Sequence, residues 1–496
     1  MTDASNAGTQ SHVLAIGSGP LLAALLAAMV KSGLDRLDIM TAPDPQNKGI
    51  ERFWCEVVRP YPLVVYVSQD GYVDELRFLH SVCRQEKKRL LPALFLGSAG
   101  LAGPMLHPES TVCWESAWRR LHRTAWDQEA PKESGYKAAA GALLANVIVS
   151  ELSQALAGTT DLVSSGAVYW LDTQTYEGDW HAVIPHPLVT GRAAAERVLN
   201  IPEKLEKESG SSCIGPQQWF DSFTRITSDR FGIFRLWEEG DLNQLPLSQC
   251  RVQATDPISD GPADLLPDIV IAALTHEKAR KESALAGVET HVSRMAGRLV
   301  EADLIGVGAG LSMAEGVSRG LLGHLFEVHA SRTRSQRPSV RLAQLEAVED
   351  ECCRYCMHAL VTLLGRIPEI GLGEEVYGFP VIWVCQDAYW YGCVGLDLRS
   401  ALRQALLQAV QMAQNDGTYT EYRQARVLWV DPQDDRPILL EIPHREEDHP
   451  AVTLKSALQV LEENRRRLCV FRLHIKPFLQ DEPIMVYGVH LEEVGQ

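Results

Sequence analysis

Apolar positions along this chain recur with two periods, and the places where the period changes outline its elements. From His12 the sequence runs His-Val-Leu-Ala-Ile, breaks at Gly17-Ser18-Gly19-Pro20 and resumes as the Leu/Ala-rich stretch 21–30. This predicts a strand, a tight glycine turn and a helix with Pro20 in its first turn, where a missing N–H costs nothing. Residues 37–40 and 62–67 read as further strands, 73–89 has helical spacing, and 91–96 returns as a strand. Strands alternating with helices at these lengths predict a parallel, doubly wound α/β sheet. Further on, Trp114-Glu115-Ser116-Ala117-Trp118-Arg119-Arg120 places both tryptophans on one helical face and pairs Glu115 with Arg119. A long helix starts at Ala138, and the runs 167–171 and 180–185, split by Thr-Gln-Thr-Tyr-Glu-Gly at 173–178, carry a hairpin signal.

Residues 203–215 are charged and then Gly/Ser-rich, the best linker signal in the chain. The expected organisation is therefore a first domain over 12–200, a linker over 201–215 and a second domain over 216–496. The second half holds three helical patterns rich in small apolar residues, 275–299, 313–330 and 396–413. Its strand-like runs include 379–384, 426–430, 468–474 and 483–489, which predicts an α/β or α+β domain.

Composition narrows the function classes. The 496 residues carry a net charge of −17, which repels phosphate backbones, so nucleic acid is not an expected partner. With 46% hydrophobic and 22% charged residues, most of the chain is expected to fold. Runs 21–30 and 138–157 fall short of the roughly 20 uninterrupted apolar residues of a bilayer span. The first twelve residues lack a basic segment followed by an apolar one, and the 11 cysteines lack regular spacing. Reduced thiols in a cytoplasmic protein are the expectation.

A Gly-x-Gly turn between strand and helix lets backbone approach a phosphate, which makes Gly17 and Gly19 the candidate nucleotide turn. The fingerprint continues poorly. Leu22 stands where a third small residue is wanted, and Asp38 precedes the apolar end of the second strand instead of closing it. The turn therefore reads as vestigial, kept for topology. Cys353, Cys356 and His358 lack a second Cys-x-x-Cys pair to complete a zinc site, and buried thiols packing a helix are expected. Cys113 with His107 or His122 has the residue types of a nucleophile and base, although a packed helix explains that block equally well. The run 444–449 (His-Arg-Glu-Glu-Asp-His) reads as a solvated loop, and Arg465-Arg466-Arg467 as a helix end. Trp114, Trp118, Arg119 and Arg120 are the candidate partner-binding residues, because Trp and Arg dominate interface hot spots.

The glycine turn, the stretch from Leu91-Pro92-Ala93 to Gly103-Pro104, the block His107-Pro108-Glu109-Ser110 with 113–120, and Pro185-His186-Pro187-Leu188-Val189-Thr190-Gly191 together resemble one family. It is the ThiF-like thiazole-containing bacteriocin maturation proteins, the F proteins of azole-forming ribosomal peptide clusters. Residues 370–375 and 390–397 resemble the same family's C-terminal half. The resemblance implies a Rossmann-like, ThiF-type α/β domain that no longer adenylates and instead helps present a precursor peptide to a YcaO-type cyclodehydratase. That partner uses ATP to close Cys, Ser or Thr into azolines. Family members carry a winged-helix-like leader-recognition domain before the glycine turn. Only twelve or so residues stand there in this sequence, so a separate recognition protein is the expected source of leader binding.

The three small-residue helices also resemble degenerate versions of the YcaO helices whose glutamates hold magnesium and nucleotide. The expected acids fall on Gly287 and Thr290, on Gly323 and Phe326, and on Gln408. Glu289 and Glu327 stand one residue away, and a one-residue slip turns a helical side chain by about 100°. The expectation is a pseudoenzyme: a non-catalytic scaffold with no cofactor, no metal and no catalytic residues, working with a cyclodehydratase and a precursor peptide. Homo-oligomerisation is compatible with it. The alternatives are an ATP-dependent enzyme of the same pathway, adenylating or cyclodehydrating, and a purely structural subunit.

Overall fold

The computed structural model describes residues 13–34, 36–42, 50–107, 110, 112–125, 138–158, 166–191, 193–208, 215–386, 389–415, 422–423, 425–433, 436–443, 449–475 and 483–494. The chain divides into two compact units. The first is Met1–Gly191 together with Asp229–Gly232 and Ser259–Asp264, and the second is the remainder.

The first unit is built on β1 (Val13–Gly17), β2 (Leu37–Met40), β3 (Leu63–Ser68), β4 (Arg89–Leu96), β5 (Ala99–Ala102), β6 (Ala167–Asp172) and β7 (Gly178–Ala182). They form one sheet in the order β2-β1-β3-β4-β5-β6-β7. The first four strands are parallel, as their alternation with helices predicts, and β5 to β7 extend the sheet antiparallel, so it is mixed. The 173–178 turn closes the predicted hairpin, with Tyr176 at φ 61°. Helices α1 (Gly19–Lys31), α2 (Ile50–Val58), α3 (Val73–Gln85), α4 (Trp114–Arg120), α5 (Ala138–Ala157) and α6 (Pro187–Thr190) complete the unit.

Alternate residues of the buried strands feed two cores. Leu14, Ile16, Val64 and Tyr66 pack with Trp54, Leu76 and Trp114, while Val13, Ala15, Val65 and Val67 pack with Leu21, Leu25 and Leu144. Among the described residues, α5 has the length and apolarity to cross a membrane, and it lays Leu144, Ile148 and Leu152 fully in the second of these cores.

The second unit starts with β8 (Ala193–Arg197), α7 (Ile201–Glu208) and α8 (Pro216–Arg225). Two expectations change here. The end of the expected first domain is a strand of the second unit, paired with residues 471–475. The start of the expected linker is a helix anchored by the fully buried Leu205, because charged residues cover only one face of 201–208. Next come β9 (Phe234–Glu238), β10 (Ser248–Ala254), β11 (Ile269–Ala273), α9 (His276–Leu299), β12 (Gly306–Gly310) and α10 (Met313–Ser335). These are followed by β13 (Ser339–Val348), α11 (Glu351–Leu364), β14 (Ile370–Gly373), β15 (Val381–Gln386), β16 (Tyr389–Val394) and α12 (Leu398–Gln414). The unit ends with β17 (Ala425–Val427), β18 (Asp431–Pro432), β19 (Ile438–Ile442), α13 (Pro450–Glu463), β20 (Arg466–Ile475) and β21 (Met485–Glu493).

Three sheets result: β11-β10-β9, β12-β21-β20-β8, and β17-β16-β15-β14-β13-β18 with β19 beside β13. Strand β12 reads Gly-Val-Gly-Ala-Gly, and a Cβ on Gly308 would lie 2.1 Å from both the Gly316 carbonyl oxygen and the Gly320 nitrogen. Glycine in the strand and glycines in α10 let the two backbones touch.

Candidate functional site

In the first unit the glycine turn is sterically required. Gly17 has φ +149° and its Cβ would lie 2.1 Å from the Val67 carbonyl oxygen; Gly19 has φ +81°. Ser18 makes no capping bond and the first turn of α1 carries no acid. Asp38 pairs in register with Leu14, two residues short of the strand end at Met40, and accepts a 2.7 Å hydrogen bond from the Tyr61 hydroxyl. Among the described residues of β2, Asp38 is the one carboxylate, and it is out of register with the turn.

Helix α4 is tightly packed within its own unit. Trp114 and Trp118 stack at 5.9 Å and are 2% and 9% exposed, which makes them core residues with little area to offer a partner. Arg120 is buried and donates to the Ile184 carbonyl at 3.3 Å, and burial lowers its pKa to about 9. Arg119 binds Glu115 at 3.1 Å, the Ser259 carbonyl at 3.0 Å and Asp260 at 2.8 Å, while Arg77 clamps Glu115 from the other side at 2.9 Å. The helix thus anchors the returning segment 259–264 within its own unit. Cys113 and His122 are not joined as a catalytic pair. The Cys113 thiol is 3.7 Å from the Ser116 hydroxyl, and the ring nitrogens of His122 lie 2.9 and 2.8 Å from the Asp229 and Gly232 carbonyls.

The second unit brings the three small-residue helices α9, α10 and α12 around a cavity of about 250 Å³, lined by Lys278, Glu282, Arg319, Phe326, Arg403 and Tyr422 among others. Behind that lining, Glu289, 3% exposed, is saturated by Arg319, Arg423 and Tyr422 among others. One carboxylate oxygen accepts from the Ala309 N–H at 3.0 Å and from Arg319 Nε at 2.5 Å. The other accepts from Arg319 Nη2 at 3.1 Å, from Arg423 Nη2 at 3.2 Å and from the Tyr422 hydroxyl. Burial alone pushes this carboxyl up, but the charges of Arg319 and Arg423 and the bonds from Arg319 and Tyr422 hold it below the ordinary range. Arg319 also bonds Glu282, so one guanidinium bridges two acids of α9.

The positions that align with the YcaO acids are filled by other chemistry. A Cβ on Gly287 would meet Phe234 and Val252 at 2.8 Å, and one on Gly323 would meet Arg423 Nη2 at 2.9 Å. The Gln408 carbonyl accepts from the Cys393 thiol at 2.8 Å, and its amide donates to the Tyr422 carbonyl at 3.0 Å. Glu327 is exposed. The N-terminus of α10 is occupied too: Glu208 accepts from Met313 N–H at 2.5 Å and Ala314 N–H at 3.1 Å, and the Ser312 side chain from Glu315 N–H.

The three helices are legible from their small apolar residues, but Arg319, Tyr422 and Arg423 are not. Acids at fixed spacing carry no signal for the groups that close the site, which are two arginines and a tyrosine hydroxyl from α10 and from residues 422–423.

The remaining candidates resolve simply. Cys352, Cys353 and Cys356 are buried on α11 while His358 is exposed. Burial pushes the Cys353 thiol well up. Among the described residues, Cys469, His490 and Glu492 group three ligand atoms within 4.8 Å, but Arg467 is already paired with Glu492. Residues 444–448 lie outside the described residues. Arg465-Arg466-Arg467 does not end a helix: α13 stops at Glu463, and Arg466 opens β20.

This mixed α/β chain is similar in fold to two solved heterocyclases. One solved structure, a heterocyclase in complex with substrate and cofactor, matches 98% of this chain and 82% of its own at a TM-score of 0.59 and 12% identity. The heterocyclase TruD matches 98% of this chain and 80% of its own at a TM-score of 0.54 and 12% identity. At that identity the likeness is one of fold. E. coli MccB with MccA-N7isoASN covers 36% of this chain and 65% of its own, at 12% identity and a TM-score of 0.26, too low to bear on the argument. No family model matches the sequence, and no curated protein matches it.

Proposed function

We propose that this chain is a non-catalytic partner in azoline formation on a ribosomally made precursor peptide, acting beside an ATP-dependent YcaO-type cyclodehydratase. In this reading the first unit is a ThiF-like domain without adenylating activity and the second unit is a degenerate YcaO-like domain. Heterocyclase-like fold over 98% of the chain supports the pathway. The saturated Glu289 carboxylate carries the assignment of a pseudoenzyme.

Magnesium with a triphosphate requires hard anionic oxygens that are free to coordinate. A carboxylate has about four lone-pair sites, and Glu289 already meets donors from Ala309, Arg319, Arg423 and Tyr422. Glycines 287 and 323 bring no ligand, and the space beside them is filled. Gln408 is a neutral amide with both ends bonded. These residues do not fit a magnesium nucleotide.

Isothermal titration of the purified chain with ATP and magnesium is expected to give no saturable heat; magnesium-dependent saturable binding would overturn the proposal. Adding the chain to a cyclodehydratase and its labelled precursor peptide should raise fluorescence anisotropy and increase the number of waters lost per peptide by mass spectrometry. If neither changes, the precursor-handling role falls.

A further inference from the structure

The four-stranded sheet of the second unit has a partly open edge. β20 pairs with β21 over residues 466–472, but with β8 only over 471–475. One further bond, Val198 N–H to the Val470 carbonyl at 2.8 Å, ends that ladder, and the chain then turns away into α7. The Arg465 carbonyl accepts from Val494 on the β21 side. By the alternation of an antiparallel ladder, residues 466 and 468 therefore direct N–H and C=O to the side where β8 has left.

The gap is a cleft of about 880 Å³ between residues 197–202, the end of α13 and the start of β20. Its floor is apolar: Leu461 and Val470 are 1% exposed, and Val198 and Ile201 close the side. Its rim is cationic, with Arg197, Arg465, Arg466 and Arg467 against the single acid Glu462, in a chain of net charge −17. Arg466 and Arg467 are paired with Glu493 and Glu492. Arg197 touches only the Cys469 thiol, at 3.6 Å, and the Arg465 side chain has no polar partner among the described residues.

We propose that this edge binds an extended acidic peptide, which adds a short strand to residues 466–469, seats an apolar side chain on the Leu461/Val470 floor and sets carboxylates against Arg465 and Arg197. Main-chain bonds to an open edge supply affinity and the alternating side chains supply selectivity. Four residues at about 3.3 Å each match the unpaired length, 466–469. The proposal stands apart from the pathway assigned above.

The probe is a fluorescein-labelled, end-capped heptapeptide alternating Glu and Leu, titrated with the full chain and followed by anisotropy. Saturable binding is expected, with at least tenfold loss in Arg465→Glu, loss on N-methylation of alternate peptide amides, and none by the Lys/Leu counterpart. Circular dichroism confirms that the variant, at an exposed turn, is folded. Absence of saturable binding, equal binding by Arg465→Glu, or equal binding of the N-methylated or lysine peptide overturns the proposal. So does sedimentation showing that the edge is filled by a second copy, as a dimer that Arg465→Glu dissociates.

Discussion

Arg319 holds Glu282 and Glu289 on one guanidinium, and removing it leaves a 3%-exposed carboxylate facing only Arg423, Tyr422 and one N–H. Breaking a buried pair from one side costs about 3–5 kcal/mol, so Arg319→Ala should lower the urea midpoint by a corresponding amount. Asp350 shows the same economy at the N-terminus of α11, where it accepts from Cys353 N–H at 2.9 Å and pairs with Arg403 at 2.5 Å and Arg399 at 3.3 Å. Burial alone would raise its carboxyl, yet the bonds from Arg403 and Cys353 hold it at about 2. A depressed folded pKa gives stability that is complete above the unfolded value near 4 and lost as pH falls toward 2. Urea midpoints measured between pH 5 and pH 2.5 should fall less steeply in Asp350→Asn than in the parent; equal slopes would contradict this linkage. The burial of Trp114 and Trp118 belongs to this scale as well. Tryptophan and arginine fill both interfaces and cores, and spacing on one helix face is identical in the two cases; what separates them is the returning segment 259–264, which lies 140 residues along the chain from Arg119.

Elements were the most legible level, because a period of two or 3.6 is local. The β1 turn into α1, the 173–178 hairpin and helices α9, α10 and α12 all stand where apolar spacing predicts them, within a few residues at the ends. Pairings between elements distant in sequence, such as β8 with β20, leave no such trace. Glycine gives the sharpest test here. Gly308→Ala forces a Cβ into the backbone of α10 at 2.1 Å, and should cost several kcal/mol or prevent folding. Gly297, exposed in α9 with nothing within 4 Å of its Cβ position, should tolerate alanine and gain up to about 1 kcal/mol from helix propensity. Thermal melts of the two variants are expected to move in opposite directions.

At the scale of the whole molecule the linear domain plan fails for a topological reason. The first unit includes Asp229–Gly232 and Ser259–Asp264, which supply the carbonyls that His122 engages and the Asp260 carboxylate that Arg119 engages. A fragment ending at 191 should therefore melt earlier and less cooperatively than the first unit within the full chain, measured by near-ultraviolet circular dichroism on its tryptophans. An equally sharp transition at the same temperature would show that the returns are dispensable. The same threading bears on how the protein is made. Domains generally fold as they leave the ribosome, at about 5–20 residues per second. Here the first unit must wait roughly 4–15 s after residue 191 for its last strands of backbone to be synthesised, by which time the second has begun to emerge. Neither unit can be finished before the other is started.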